Sequence, residues 1–105
     1  MRNFLLLAAA ASLVTTGAMA APAVPAKFAG SELLPQAKVS LAKARATAKA
    51  VRPGTITDQE LEKERGGTGL RYSFDIKAND KTFEVGVDAR TGKVLENKAE
   101  GQNPD

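Results

Sequence analysis

Apolar and polar residues alternate strictly along two neighbouring stretches of the chain, and this alternation constrains the fold more than any other feature. It runs through residues 70–77 and, after a short turn, through residues 82–87. A period of two is typical of a β-strand with one face buried and the other in water. Both strands therefore need a cover on one face only. The apolar side chains on that face are Tyr72, Phe74, Ile76, Phe83, Val85 and Val87.

Turn-forming residues separate the predicted strands from one another. A first strand is predicted at 57–65, before the glycine-rich turn at 66–69, and a short closing strand at 93–95. The Asn-Asp pair at 79–80 tolerates left-handed backbone conformations, which suits a tight turn between the second and third strands. Gly92 suits the last hairpin in the same way. Because turns this short join antiparallel neighbours, the strands are expected to form an antiparallel sheet.

A single helix is predicted before the strands, over residues 40–51. Ser40 is a good N-cap, because its hydroxyl can accept a hydrogen bond from a backbone amide of the first turn. Leu41, Ala44 and Ala48 recur on one helical face, and the Pro-Gly pair after the helix ends it. The expected fold is therefore α+β, with one helix packed on a three- to four-stranded antiparallel sheet. The second face of the sheet stays open to water or to a partner.

Residues 1–20 have the composition of a secretory signal peptide. Arg2 provides a positive charge, residues 4–14 form an apolar run, and Ala-Met-Ala at 18–20 supplies the small residues that signal peptidase reads, with cleavage before Ala21. The apolar run is shorter than the roughly 20 residues of a membrane-spanning helix, and an uncleaved anchor is the alternative. The mature protein is therefore expected to be periplasmic or secreted, as fits a bacterial export signal.

The remaining chain divides into three expected parts. Residues 21–35 are rich in Ala and Pro and are predicted to be a flexible linker. Residues 36–97 form the predicted domain, and the polar residues 98–105 are predicted to be a disordered tail. The apolar side chains of the linker that could dock on the domain are Phe28, Leu33 and Leu34.

The residue types that are missing exclude much chemistry. The chain has no His and no Cys, so it has no Ser-His-Asp or Cys-His pair, no thiolate and no disulfide. No catalytic residue, cofactor or metal site is predicted, and the spacing of Asp75, Asn79, Asp80 and Asp88 does not match a calcium-binding loop. The formal net charge is +3 and falls by one when Arg2 is removed. This excess is too small to predict nucleic-acid binding.

Several sequence segments resemble the PepSY domain family. The most specific is Val-Asp-Ala-Arg-Thr-Gly-Lys-Val at 87–94, which is similar to the pattern that closes these domains after a Tyr- or Phe-led strand. Upstream, the capped Ala-rich helix, Leu-Glu-Lys-Glu at 61–64 and Tyr-Ser-Phe-Asp-Ile at 72–76 extend the resemblance over residues 39–96. Gly86 stands where a strand usually has a side chain, which indicates a bulge or a close approach of the backbone.

The resemblance implies a non-catalytic, extracytoplasmic interaction module, similar to the propeptides of secreted metallopeptidases. Its expected partner is an extracytoplasmic protein, with a peptidase as one candidate for inhibition or regulation. Because no peptidase follows in the chain, this inhibition would act in trans. A tandem arrangement of the single copy would require a dimer.

Charged residues are distributed unevenly over the predicted domain. Residues 38–52, which include the helix, carry five basic residues and no acidic one. In the first strand, alternating carboxylates have the parity opposite to Leu61, so they lie on the open side of the sheet if Leu61 faces the helix. The candidate partner-binding residues are Glu60, Glu62, Glu64 and Asp75.

Both charged surfaces also have a simpler interpretation, as solvated faces that keep a small domain soluble. If the acidic side is functional, it meets a basic protein partner. Alternatively, the chain is an envelope accessory protein that binds a cation or a small cationic ligand through its acidic sheet face. Membrane contact by the basic helix is not favoured, because its apolar face lacks Trp and Phe for insertion.

Overall fold

The structure, a computed structural model, describes residues 28–101. The predicted signal peptide, the first part of the predicted linker and the last four residues lie outside this range.

The predicted α+β fold of one helix on an antiparallel sheet is confirmed, and the sheet has four strands. The first strand begins and ends two residues earlier than predicted. It ends at Lys63 because the hairpin turn already starts at Glu64. The elements are a 3-10 helix Ser31–Gln36, helix α1 Leu41–Val51, and strands β1 Thr55–Lys63, β2 Leu70–Ala78, β3 Lys81–Asp88 and β4 Val94–Ala99.

The four strands form an antiparallel meander in the order β1-β2-β3-β4. Leu61 of β1 lies opposite Tyr72 of β2, which lies opposite Val87 of β3. All three side chains are buried on the face that α1 covers. Glu60 lies opposite Ser73 on the other face, because successive side chains alternate across a strand. The alternation in the sequence therefore gives the sheet one apolar and one polar face.

Helix α1 covers the apolar face across β2 and β3. Its N-terminus is capped as predicted, with the Ser40 hydroxyl accepting a hydrogen bond from the Lys43 N–H at 3.1 Å. Ala44 and Ala48 are fully buried, and their small side chains let the helix pack closely on the sheet. The core residues are Leu41, Ala44, Ala48, Leu61, Leu70, Tyr72, Phe74, Ile76, Val85, Val87 and Ala89.

Tyr72 links the sheet to the segment before α1. Its side chain is fully buried, and its ring stacks on that of Phe74 with 6.2 Å between centroids. The Tyr72 hydroxyl donates a hydrogen bond to the carbonyl oxygen of Val39 at 2.6 Å. Burial raises the pKa of Tyr72, so the hydroxyl stays a donor. The one polar atom of this large core side chain is therefore satisfied.

The second half of the predicted linker belongs to the folded domain. The 3-10 helix at 31–36 packs beside β1, and just before it the carbonyl oxygen of Ala29 accepts a hydrogen bond from the Leu61 N–H at 2.9 Å. The predicted domain start at residue 36 is thus corrected to residue 28, the first residue that the structure describes. Pro35 rules out a continuous α-helix but is compatible with a short 3-10 helix, whose apolar side chains are partly buried against the core. The residues that dock are Phe28, Leu33 and Leu34.

The last strand is also longer than predicted. It was expected at 93–95 but runs over Val94–Ala99, so the predicted tail is corrected at residues 98–99, which pair with β3. Polar residues suit this strand because it lies at the edge of the sheet. The Asn97 side chain also donates a hydrogen bond to the Val51 carbonyl at the end of α1, at 3.3 Å. This strand therefore completes the sheet and also forms a hydrogen bond with the C-terminal end of α1.

A buried carboxylate ties the two hairpin turns at one end of the sheet together. Asp88, only 1% exposed, accepts hydrogen bonds from the N–H (2.6 Å) and hydroxyl (2.9 Å) of Thr68 in the β1–β2 turn. It also accepts them from the N–H groups of Arg90 (2.8 Å) and Thr91 (3.0 Å) in the β3–β4 turn. Burial alone would raise the pKa of Asp88, but these bonds outweigh it and lower the pKa to about 2. Gly67 permits the approach, since a Cβ there would lie 2.2 Å from Asp88 Oδ2.

Candidate functional site

The sheet face that α1 leaves uncovered is rich in carboxylates. Each strand or the residue that follows it contributes at least one, because polar residues at alternate positions point away from the helix. We call the carboxylates on this side of the sheet the acidic face. Its members are Asp58, Glu60, Glu62, Asp75, Glu84, Glu96 and Glu100.

Three carboxylates of the acidic face lie directly opposite one another across the first three strands. Asp58 of β1 pairs with Asp75 of β2, which pairs with Glu84 of β3. Because neighbouring strands are about 4.8 Å apart, this row is about 10 Å long. Lys98 ends the row on β4, but its ammonium forms its salt bridge with Glu96, at 3.2 Å. Like charges in directly opposite positions are destabilising, so the row costs the domain stability.

The crowding of these carboxylates changes their protonation. A hydrogen bond between the Glu60 and Glu62 side chains, together with burial and nearby negative charge, raises the pKa of Glu60 to about 7. The Glu60 carboxyl is therefore partly protonated near neutral pH. Glu62 also accepts a hydrogen bond from the Ser73 hydroxyl at 2.8 Å, which fixes it against β2.

The pKa values of two carboxyl groups on the central strands are raised as well. Burial raises the pKa of Asp75, and the negative charges of Glu100 and Asp58 raise it further. Burial also raises the pKa of Glu84, with additional contributions from Glu96 and Asp75. The acidic face is therefore one electrostatic cluster, in which ionising one carboxyl makes ionising the next less favourable. A cation placed over the cluster would lower these pKa values.

One arginine is built into the acidic face as an internal counter-ion. Arg71 of β2 is 8% exposed; its Nη1 lies 3.1 Å from Glu96 Oε1, and its Nη2 donates to the carbonyl oxygen of Arg65 at 3.2 Å. The guanidinium lies over Gly86, where a Cβ would be 3.0 Å from Arg71 Nη1. A bulge in the β3–β4 pairing follows directly, between Gly86 and Val87. Both features expected of Gly86 from the sequence are thus present.

The structure brings together three of the four residues predicted as a partner-binding site. Glu60, Glu62 and Asp75 lie on the acidic face. Glu64 does not, because it follows the end of β1 and its N–H donates to the Gly69 carbonyl within the hairpin turn. Whether these residues bind a partner is taken up below as a proposal.

Four further carboxylates of the face were not among the candidates: Asp58, Glu84, Glu96 and Glu100. Asp58 has the same parity as Glu60 in the sequence. Glu84 occupies a polar position in the alternation at 82–87, so the pattern alone placed it on the open side. Glu96 and Glu100 depend on the full length of β4, and the polar sequence of that edge strand carried no comparable signal.

Two further properties of the described segment concern metal binding and membrane insertion. Within residues 28–101, no group of three or more His, Cys, Asp or Glu side chains has the geometry to hold a metal ion. In the same segment, no helix combines the length and apolarity needed to cross a bilayer.

The fold and the acidic face together define a small α+β module in which one helix covers a four-stranded meander and the second sheet face is free. Residues 38–98 match the family of peptidase propeptide and YPEB domains, PepSY. The chain therefore belongs to the PepSY family, as its sequence predicted. PepSY domains are generally non-catalytic modules similar to propeptides and inhibitors. No curated protein and no solved structure matches the chain.

Proposed function

We propose that this protein is a non-catalytic PepSY interaction module that acts outside the cytoplasm and binds a basic protein partner through its acidic face. The observation that carries the proposal is the row formed by Asp58, Asp75 and Glu84 in directly opposite positions. Export rests on the signal-peptide pattern of residues 1–20.

The physical support for a basic partner is the unfavourable charge arrangement of the free domain. A sequence selected for stability alone would alternate opposite charges across the strands, and departures from such local rules are expected at functional sites. Lysine or arginine side chains of a partner would neutralise the row and recover the energy lost to repulsion. Complementary charge would also speed the encounter and select the partner.

The family supports a more specific role, in which the partner is a secreted or envelope peptidase. PepSY domains are similar to peptidase propeptides, which act on the enzyme to which they are attached. Here the domain would act in trans, as a separate inhibitor or regulator. A dimer, which would pair two copies, remains a prediction that light scattering of the purified protein can test.

A cation or a small cationic ligand is the alternative occupant of the acidic face. The face is wide, because its carboxylates are spread over all four strands. A small ligand binds best in a cleft that surrounds it, whereas an extended protein surface can contact several strands at once. This shape favours a protein partner over a small ligand.

The proposal is tested by affinity capture from envelope and culture-supernatant fractions with two matched variants. The face variant replaces Glu60, Glu62 and Asp75 by their amides. The control variant makes the same change at three exposed carboxylates that lie outside the strands of the sheet, Glu32, Glu64 and Asp80. Both variants lose three carboxyl groups, and capture is carried out above the raised pKa of Glu60, so that the lost charge is matched and its position differs.

We expect wild type and the control variant to capture the same partner and the face variant to lose it. Equal capture by all three proteins would mean that the acidic face does not bind the partner. Loss in both variants would mean that net charge, rather than this face, governs binding. Circular dichroism and urea unfolding of each variant would first establish that it is folded.

The peptidase role needs a separate assay. The purified protein is added to the captured peptidase, and hydrolysis of a peptide substrate is followed over time. A concentration-dependent change in rate, absent with the face variant, is expected. Binding without any change in rate would leave the module as a binding protein and reject peptidase regulation.

A further inference from the structure

A second candidate site lies at the end of the fold where α1 stops and the β2–β3 hairpin turns. It is a cavity of about 490 Å³ on the edge of the helix-covered side, away from the acidic face. Its lining residues are Arg52, Pro53, Ala78, Asn79, Lys81 and Phe83.

Arg52 is held in place from two directions. Its guanidinium carbon stacks over the Phe83 ring, 3.8 Å from the centroid. Its Nε donates a hydrogen bond to Asn97 Oδ1 at 3.1 Å, and Asn97 is itself fixed by its bond to the Val51 carbonyl. A side chain that usually samples many rotamers is therefore ordered before any ligand arrives, which removes part of the entropic cost of binding.

The hydrogen-bonding capacity of Arg52 is not exhausted by these contacts. Within residues 28–101, its terminal nitrogens donate no hydrogen bond and form no salt bridge. Lys81, which also lines the cavity, forms no salt bridge in this segment either. No carboxylate lines the cavity; Asp80 lies in the adjacent turn but is not part of the lining. Arg52 and Lys81 thus line one concave site whose lining contains no carboxylate, while Lys81 also borders the neighbouring cavity that Asp80 and Glu100 line.

We propose that this cavity binds an oxyanion group, a carboxylate or a phosphate. The planar guanidinium presents its two terminal nitrogens as a fork, which matches two oxygens of such a group, and the Lys81 ammonium supplies a second charge. The site has the opposite charge to the acidic face and shares no residue with it. It is therefore independent of the proposed function, and a separate experiment tests it.

The test is a nitrogen-15 NMR titration of the purified protein with sodium phosphate and, separately, with sodium acetate. Sodium chloride keeps the ionic strength constant, so general screening does not change. We expect saturable shifts at the Arg52 Nε–H, the Lys81 amide and the Asn97 side-chain amide. Arg52→Gln and Lys81→Gln should each weaken binding by roughly tenfold, the usual effect of losing a charged hydrogen-bonding group.

A control variant and the Lys81→Gln variant separate binding from structure. Lys43→Gln removes an exposed cation of α1 that does not line this cavity, and it should leave the affinity unchanged. Lys81→Gln leaves the stacking of Arg52 on Phe83 intact, so it remains informative if Arg52→Gln disturbs the fold. Saturation by phosphate alone, by acetate alone or by both supports the site and identifies the group. Shifts that do not saturate, or an affinity that is unchanged in the Lys81→Gln variant, overturn it.

Discussion

Replacing Asp88 by Asn changes one atom of the carboxylate that joins the β1–β2 and β3–β4 turns, and we expect a large loss of stability. The wild-type carboxylate accepts four hydrogen bonds, two from Thr68 and one each from the N–H groups of Arg90 and Thr91. An amide keeps one acceptor oxygen and replaces the other by an NH₂ group, which donates. A donor then faces a donor in a site that is almost completely buried.

Two arguments, both based on the hydrogen bonds to this carboxylate, give the magnitude for Asp88→Asn. One pKa unit corresponds to about 1.4 kcal/mol, so a pKa lowered from 3.8 to about 2 contributes about 2 kcal/mol at pH 7. Leaving a buried hydrogen-bonding group without its partner costs about 1–3 kcal/mol. The two agree on a loss of about 2 kcal/mol, a large part of the stability of a domain this small.

The assay is urea unfolding of wild type and variant between pH 7 and pH 2. Because the folded-state pKa of Asp88 is lowered, its contribution is complete above the ordinary pKa of 3.8 and is lost as the pH falls through about 2. The difference between the two proteins should therefore shrink across that window. Asp80→Asn is the control, since Asp80 is exposed and Asn tolerates its left-handed backbone. A difference below about 0.5 kcal/mol at pH 7, or one independent of pH, would refute the reasoning.

Three further substitutions test other parts of the domain by the same unfolding assay. Phe74→Ala empties a fully buried position and should cost about 2–5 kcal/mol; a cost below about 1 kcal/mol would contradict the core assignment. Tyr72→Phe removes the donor to the Val39 carbonyl and should cost about 1 kcal/mol, whereas no loss would mean that water replaces it. Glu60→Gln should stabilise the domain by up to about 1 kcal/mol at pH 8. Since the pKa of Glu60 is raised from 4.5 to about 7, this gain should fade as the pH falls through that range, and a gain that persists at pH 4 would contradict the charge repulsion.

The helix and the central strands could be predicted from the sequence because their signals are local. The Ser40 cap and the spacing of Ala44 and Ala48 define the helix and its buried face within a few residues. The alternation at 70–77 and 82–87 needs no distant partner to be recognised. The side of the sheet on which Glu60 lies then follows from parity alone.

The remaining features could not be predicted because they depend on tertiary contacts. A bulge between Ile56 and Asp58 switches the parity of β1, so that Ile56 and Leu61 both pack with the core despite their odd separation. The extension of β4 is stabilised by pairing with β3 and by the bond from Asn97 to the helix end, not by apolar residues. The internal ion pair of Arg71 across Gly86 depends on sheet register in the same way.

If a cationic partner contacts the acidic face, the carboxyl groups of that face titrate differently in the complex, and carbon-13 NMR of the side-chain carboxyls detects the difference. Glu60 is titrated in the free protein and again in complex with the captured partner. We predict a pKa of about 7 in the free protein and a clearly lower value in the complex, because a nearby positive charge favours the ionised carboxylate. A pKa of Glu60 that stays the same or rises on binding would place the contact elsewhere and contradict the account.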